Sequence, residues 1–293
     1  MSLGGPLYSH PVPVTVSVVI PVLNDAPRLT RCLDALLAQV DAPPFEVVVV
    51  DNGSGDATVQ AARQHPLKPL VVEEARRGSY AARNAGLRVA SGPFLAFTDA
   101  DCLPAPDWVS RGARAVEREP VVGGEVHPRR SADPTVWERY DTALYLKQSS
   151  LVADGGFAAT ANLWVRREVL TEVGSFDARL LSSGDFEWGQ RARAFGHLTA
   201  YAADVLVEHS PRTTAGQTWR LHHRLGAGWA VLQQDYPQLR EFRRQPLWTV
   251  IEALAVEGAP LRRRQVAHVH AVAMTARQAG WTRQRLVRPW REG

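Results

Sequence analysis

Two carboxylates, Asp99 and Asp101, stand two residues apart in the sequence. They follow the apolar run at residues 94–97, which has the composition of a buried strand. Carboxylate oxygens suit a hard divalent cation, and such a cation can bridge the phosphates of a nucleotide diphosphate. A short acidic pair is more often a solvated turn, so its meaning depends on the segments around it.

Two other segments carry candidate ligand-binding residues. Asp51 follows the apolar run at 45–50 and could accept hydrogen bonds from a nucleotide base or a ribose hydroxyl. A turn or N-cap aspartate fits it equally well. Residues 78–86 combine small side chains with Arg83, which can pair with phosphate. A tightly packed helix with one exposed arginine is the alternative there.

Asp185 and Glu187 are candidates for a general base, which takes the proton of an attacking hydroxyl. Helix N-capping and interaction with the helix dipole are their alternative roles. His209 follows a predicted strand at 205–208 and could complete a metal site. Cys102 is expected to be a packing residue, because oxygen ligands suit the expected metal better than sulfur.

The first hundred residues alternate between strand and helix patterns. Apolar, β-branched runs occur at 16–22, 45–50, 70–72 and 94–97, and helical spacing occurs at 26–39, 59–63 and 79–90. This alternation predicts a mostly parallel α/β sheet with crossover helices. Because such sheets bind ligands beyond the carboxyl ends of their strands, Asp51, Asp99 and Asp101 should converge at one edge.

The second half of the chain is less regular. Strands are predicted at 120–127, 158–166 and 205–208, and helices at 135–146, 168–173 and 186–195. A mostly helical tail is predicted from residue 218, with breaks near Pro237, Pro246 and Pro260.

Composition is that of an ordinary soluble globular protein. The 293 residues are 45% hydrophobic and 22% charged, which fits one α/β unit with an appended C-terminal segment. Two cysteines predict no disulfide framework and favour a reducing compartment. Neither a signal peptide nor an apolar run of 18 residues is visible, so we expect no leader and no spanning helix.

Residues 216–293 are basic and rich in tryptophan. They carry 13 Lys and Arg residues against 5 Asp and Glu, together with Trp219, Trp229, Trp248, Trp281 and Trp290. Three interpretations remain open: the segment packs on the rest of the chain, lies on an anionic membrane surface, or forms a homodimer interface. Nucleic acid is not expected as a partner, because no nucleic-acid-binding motif accompanies the charge.

In their order along the chain, these segments resemble glycosyltransferase family 2, a group of inverting enzymes with the GT-A fold. The matching segments are 18–24, 50–56, 82–86, 97–101, 162–167, 173–177 and 184–188 with Arg191. The resemblance implies a Rossmann-like, mostly parallel sheet flanked by helices. It divides the chain into an N-terminal tail at 1–14, a GT-A catalytic domain at 15–215 and a helical C-terminal segment at 216–293. Within the catalytic domain, 15–101 would bind the nucleotide sugar and 102–215 the acceptor.

The resemblance also implies residue roles. It assigns binding of the nucleoside-diphosphate sugar to Pro21, Val22, Asn24, Asp51, Gly53, Arg83, Asn84, Asp99 and Ala100. Asp101 would bind Mg²⁺ or Mn²⁺, with His209 near the metal. Asp185 matches the general base. Many members have Glu-Asp where this chain has Gly184-Asp185, a departure that leaves Glu187 as a reserve candidate.

We therefore predict a metal-assisted, inverting, hexosyltransferase-like enzyme. Its acceptor would be a glycan, a lipid-linked sugar or a glycosylated metabolite, as in polysaccharide or cell-envelope biosynthesis. It would act in the cytoplasm or at the inner face of the membrane, held there by the basic C-terminal segment. The alternatives are a retaining transferase or a nucleotidyltransferase on the same fold, or an inactive sugar-nucleotide-binding protein. A Rossmann dehydrogenase is disfavoured, because no G-x-G-x-x-G follows the first strand.

Overall fold

The computed structural model describes residues 13–144, 146–239 and 263–287. Their centre is a mixed, eight-stranded sheet flanked by helices, with the strand order β3-β2-β1-β4-β7-β6-β8-β5. The strands are β1 Val16–Val22, β2 Phe45–Asp51, β3 Leu70–Glu73, β4 Phe94–Thr98, β5 Cys102–Pro104, β6 Val121–Pro128, β7 Asn162–Arg166 and β8 Ala200–His209.

The first four strands are parallel. β1 lies between β2 and β4, and β3 pairs with β2. The crossovers are the helices α1 Ala26–Leu37, α2 Thr58–Gln64 and α3 Ser79–Val89. All seven residues of β1 are buried, since helices cover both faces of the sheet. Val18 packs on one face and Val19 on the other, which explains the continuous apolar run.

The second half of the sheet is mostly antiparallel. β7 runs antiparallel to β4 and β6, and β5 runs antiparallel to β8. Among the described strands of this half, β6 and β8 alone pair in parallel. The helices of this half are α4 Trp108–Arg118, α5 Val136–Leu144, α6 Gln148–Gly155, α7 Arg167–Val173 and α8 Gly184–Ala194.

Three elements, β5, α4 and α6, were not predicted from the sequence, and the predicted strand at 158–166 begins only at Asn162. Gln148 explains the late start of this strand. Its side chain accepts a hydrogen bond from the backbone N–H of Ala159 at 2.9 Å and donates to the carbonyl of Ala159 at 3.2 Å. The backbone of Ala159 therefore pairs with a side chain instead of a neighbouring strand.

The C-terminal segment contributes two helices, α9 Ala215–Asp235 and α10 Arg263–Val287, with a 3-10 turn at Pro237–Leu239 after α9. The two helices pack closely. A Cβ atom on Gly226 would stand 1.9 Å from the carbonyl oxygen of Arg277, and one on Gly280 would stand 1.9 Å from that of His223. α10 also packs on α5 through Val269.

These contacts support the packing interpretation of the tail, and α9 ends just before Pro237, as predicted. Pro246, Pro260, Trp248 and Trp290 lie outside the described residues. Among the helices that the structure describes, none has the length and apolar character needed to cross a membrane. Membrane association and dimerisation stay predictions.

Candidate functional site

A cavity of about 1300 Å³ opens at the carboxyl ends of β1 and β4. Pro21 and Val22 line it from the end of β1, and the segment 99–101 lines it from the end of β4. Asp185, at the start of α8, and His209, at the end of β8, also line it. The structure thus brings together residues that lie up to 188 positions apart in the sequence.

Asp99 is paired with Arg83, whose Nη2 donates a hydrogen bond to the Oδ1 atom of Asp99. The Arg83 side chain is 2% exposed and lies over the ring of Tyr80, 5.6 Å from its centroid. The helix that carries it is tightly packed, as one interpretation of 78–86 proposed, but the arginine is buried instead of exposed. It still lines the cavity with Asp99.

Asp101 faces His209, with 3.5 Å between its Oδ2 atom and Nε2 of the imidazole. Antiparallel pairing of β5 with β8 sets this contact, because it places Cys102 opposite His209. Burial opposes ionisation of Asp101, but the interaction and hydrogen bond with His209 and the charges of Arg212 and Arg28 outweigh it and lower the pKa of Asp101 to about 2. Asp101 is therefore an anion at neutral pH.

A carboxylate and an imidazole side by side fit a divalent cation. Among the described residues, no group of three or more His, Cys, Asp and Glu side chains could hold a metal ion. A cation at Asp101 and His209 would need further ligands from a bound phosphate or from water, which is how Mg²⁺ is usually held. Cys102 is fully buried, and burial raises the pKa of its thiol, as expected of a packing residue.

Asp185 receives two hydrogen bonds on one oxygen. Its Oδ1 atom accepts from the hydroxyl of Tyr80 at 3.1 Å and from the backbone N–H of Phe186 at 3.0 Å. Burial raises the pKa of this carboxyl, while these hydrogen bonds and the charge of Arg83 partly oppose the rise. The N-cap residue of α8 is Ser183, so Asp185 is not the N-cap.

Glu187 is placed differently. Its two carboxylate oxygens accept hydrogen bonds from Nε and Nη2 of Arg191 at 2.8 and 2.9 Å, and the residue is 3% exposed. It is not among the residues that line the cavity. Of the two candidates for the base, the geometry therefore favours Asp185.

Asp51 is buried beneath the turn that follows β2. Its Oδ2 atom accepts hydrogen bonds from the backbone N–H groups of Gly53 and Ser54 at 3.1 and 3.0 Å, so it is a turn aspartate. Its Oδ1 atom is buried without a hydrogen-bond partner among the described residues. Asp51 is not among the residues that line the cavity, so of the three aspartates expected to converge there, only Asp99 and Asp101 do so.

Three other predicted donor-binding residues do not line the cavity. Asn24 accepts a hydrogen bond from the backbone N–H of Gly55 at 2.8 Å, and Gly53 turns the chain at φ +88°. Asn84 donates to the carbonyl of Phe176 at 2.7 Å and accepts from its N–H at 3.1 Å. The structure gives all three a role in holding loops, whereas Ala100 does line the cavity.

Sequence reasoning missed several lining residues. Asn52 holds the segment before α3, because its side chain donates to the carbonyls of Glu74 and Arg76 and accepts from the N–H of Gly78. Tyr80 lies within the segment 78–86, whose composition drew attention only to the small side chains and Arg83. Trp229 of α9 and Trp281 of α10 also line the cavity, and no local pattern in the sequence distinguishes them from the other tail tryptophans.

Comparison with known proteins places this chain in a family. Residues 17–174 match the family described as glycosyl transferase family 2. The glycosyltransferase AglE of Haloferax volcanii is 36% identical over 244 residues, which cover 80% of each chain. The chain belongs to glycosyltransferase family 2. It is a transferase, and the resemblance drawn from the sequence is confirmed.

Solved structures share the fold of this family 2 member. The mannosyltransferase PcManGT of Pyrobaculum calidifontis, in complex with GDP-Man and Mn²⁺, has a TM-score of 0.58 at 24% identity over 93% of this chain and 85% of its own. Residues 1–349 of TarS from S. aureus, in complex with UDP-GlcNAc, have a TM-score of 0.54 at 17% identity over 95% and 93%. The expected GT-A class of fold, with a helical C-terminal segment, is confirmed.

Proposed function

We propose that this family 2 glycosyltransferase transfers a sugar from a nucleoside-diphosphate sugar to an acceptor hydroxyl with inversion. Asp185 is the general base, and Asp101 with His209 holds a divalent cation. One observation carries the proposal: the Asp185 carboxylate and the Asp101–His209 pair line the same cavity. The likeness to PcManGT, which was solved with GDP-Man and Mn²⁺, supports the donor class and the metal.

The donor lies along the carboxyl ends of β1, β2 and β4 in this proposal. Pro21 and Asn52 form the wall beside the nucleotide base, and Asp51, which does not itself line the cavity, holds the turn that follows Asn52. Asp99, held by Arg83, contacts the ribose or the sugar. When bound at Asp101 and His209, Mg²⁺ or Mn²⁺ neutralises charge on the diphosphate.

The proposed reaction is one displacement. The acceptor oxygen bonds to the anomeric carbon as the bond from that carbon to the diphosphate oxygen breaks, and the bonding electrons leave with the nucleoside diphosphate. Asp185 takes the acceptor proton. Attack opposite the leaving group inverts the anomeric centre. The raised pKa of Asp185 makes it a stronger base than an exposed aspartate.

The acceptor side of the cavity is aromatic. Phe186 directly follows Asp185, and its ring centroid lies 6.5 Å from that of Trp229. Trp229 and Trp281 line the cavity from α9 and α10. Rings of this size offer a flat apolar surface of the kind that the C–H face of a sugar covers. A sugar-bearing acceptor that stacks on Trp229 therefore fits beside the base.

Asp185→Asn tests the proposed base. Asparagine keeps the side-chain shape and can still accept the hydrogen bond of Tyr80, so donor affinity should stay within about twofold while kcat falls about 10²- to 10⁴-fold. A thermal-shift screen of nucleoside-diphosphate sugars with Mn²⁺ first identifies the donor, because a ligand that binds the folded state raises its Tm. Turnover is then followed by release of the nucleoside diphosphate.

Asp154→Asn is the matched control, since Asp154 is exposed on α6 and does not line the cavity. Its kcat should equal that of the unmodified enzyme. Full turnover by Asp185→Asn would favour a retaining transferase, and weakened donor binding would make Asp185 a structural residue. Release of pyrophosphate instead of a nucleoside diphosphate would favour a nucleotidyltransferase.

A further inference from the structure

Tyr80 lies in the first turn of α3 and is held tightly beside the cavity. It is 5% exposed, and its ring centroid stands 5.7 Å from that of Phe176. The guanidinium of Arg83 covers the ring from α3 itself. The hydroxyl donates a hydrogen bond to Asp185, 105 residues further along the chain. Tyr80 thus connects the helix after β3 to the residue proposed as the base.

Gly184, next to Asp185, stands against the ring of Tyr80. A Cβ atom at position 184 would lie 2.7 to 2.9 Å from three carbon atoms of that ring. The backbone of Gly184 does not itself require glycine, because it is the first residue of α8 and is not among the residues with positive φ. The glycine is therefore needed for the space that the ring occupies.

The two carboxylate oxygens of Asp185 differ in their hydrogen bonds. Tyr80 and the N–H of Phe186 both donate to Oδ1, and none of the described hydrogen bonds reaches Oδ2. A carboxylate fixed through one oxygen presents the other in a set direction. On the far side of Tyr80, Arg83 reaches Asp99, so one row of contacts runs from the donor side of the cavity to the base.

We propose that Tyr80 is a positioning residue that orients Asp185 toward the acceptor hydroxyl, and that Gly184 is present because the Tyr80 ring fills the space of a side chain there. The proposal rests on the proposed function, in which Asp185 is the base. Orientation of a reacting group contributes directly to rate, and a misplacement of about 1 Å can cost about 10²-fold.

Tyr80→Phe is the first test, because it removes only the hydroxyl and keeps the ring. We expect kcat to fall about 10- to 100-fold, with donor Kd and acceptor KM within about twofold. The hydrogen bond from Tyr80 stabilises the ionised carboxylate, so its loss raises the pKa of Asp185. The acid limb of the kcat profile should therefore move to higher pH. Arg83, the charged side chain that also lowers the pKa of Asp185 among the described residues, is unchanged in this variant.

Tyr201→Phe is the matched control. It also removes a phenol hydroxyl that donates to a carboxylate, that of Glu125, but neither residue lines the cavity. Its kcat and pH profile should equal those of the unmodified enzyme. If Tyr80→Phe matches the unmodified enzyme while Asp185→Asn is inactive, Tyr80 does not position the base, although the proposed function stands. If Asp185→Asn is active, the proposed function fails whatever Tyr80→Phe does.

Gly184→Ala tests the second half of the proposal by a double-mutant cycle. Alone, it should displace the Tyr80 ring and lower both Tm and kcat. In a Tyr80→Ala background, the space is empty, and the same substitution should leave Tm unchanged or raise it, since alanine favours the helix. An equal loss of Tm in both backgrounds would show that the ring is not the reason for the glycine.

Discussion

Asp99 and Asp101 have different partners although only Ala100 separates them. Asp99 is paired with the buried Arg83, whereas Asp101 faces His209 and has a pKa lowered to about 2. An aspartate already engaged by arginine is the poorer ligand for a cation, because its charge is compensated. At the residue scale, we therefore propose the metal role for Asp101 and contact with the donor for Asp99.

Asp101→Ala should abolish metal-dependent binding of the donor. Without this carboxylate, His209 is left as the remaining member of the pair, and a single imidazole holds a hard cation poorly. In a thermal-shift titration, Mn²⁺ should no longer raise the Tm with the nucleoside-diphosphate sugar, which corresponds to at least about a tenfold loss of affinity. Asp204→Ala, on the exposed part of β8, should titrate like the unmodified enzyme. Unchanged Mn²⁺ dependence in Asp101→Ala would contradict the metal role.

At the scale of elements, the site forms where the sheet changes from parallel to antiparallel pairing. β4 pairs in parallel with β1 on one side and antiparallel with β7 on the other. The chain leaves β4 through 99–101 and enters the short strand β5, whose register with β8 sets Cys102 opposite His209. The contact between Asp101 and His209 therefore depends on strand pairing.

Close packing of α4 on β7 holds this part of the sheet. Gly112 of α4 leaves room for Trp164 of β7, since a Cβ atom there would stand 2.1 Å from the indole ring. Trp164 is fully buried, with its ring centroid 4.7 Å from that of Trp108. Both indole N–H groups donate to the Oδ1 atom of Asn162, so neither ring can move without losing a hydrogen bond.

Gly112→Ala should lower the free energy of unfolding. The gain in helix propensity of about 1 kcal/mol is outweighed by overpacking against Trp164, which costs about 1–3 kcal/mol and more where a buried ring cannot shift. Denaturant unfolding of the purified protein measures the difference. Gly216→Ala in α9 is the control, because the nearest atom to its Cβ is 3.5 Å away, and we expect equal or higher stability. Equal stability of Gly112→Ala and the unmodified protein would show that α4 can adjust.

At the scale of the whole molecule, the C-terminal helices form part of the cavity. α9 approaches the segment before Asp185 so closely that a Cβ atom on Gly228 would lie 2.7 Å from the carbonyl oxygen of Ser182. The next residue, Trp229, lines the cavity near Phe186. Trp281 of α10 lines it too, and its indole N–H donates to Gln233 of α9 at 2.9 Å. Helices that lie beyond the family match thus line the cavity.

Trp229→Ala should weaken acceptor binding without affecting the donor. Loss of the indole surface should raise the acceptor KM about tenfold or more, while donor Kd stays within about twofold. Steady-state kinetics with varied acceptor and a thermal-shift titration with the donor separate the two effects. Trp219→Ala is the control, since Trp219 is on the same helix, 39% exposed and outside the cavity. Equal losses of donor and acceptor affinity would mean that Trp229 only supports the fold.

The sequence by itself determined the parallel half of the sheet and the family. The runs at 16–22, 45–50 and 94–97 are mostly buried on both faces, so their composition shows the strands directly, and the structure confirms all three. The ordered segments around them identified glycosyltransferase family 2, which the comparisons confirm. Side-chain periodicity and turn composition are local properties, and they can be read without knowledge of contacts.

Only the tertiary structure decided which residues share the cavity. Asp185 and Glu187 are indistinguishable by local pattern, yet one faces the cavity and the other binds Arg191. The contact of Tyr80 with Asp185 joins positions 105 residues apart, and Trp229 reaches the site from outside the family match. These arrangements arise from helix packing and strand register between distant segments, and no spacing within one segment encodes them.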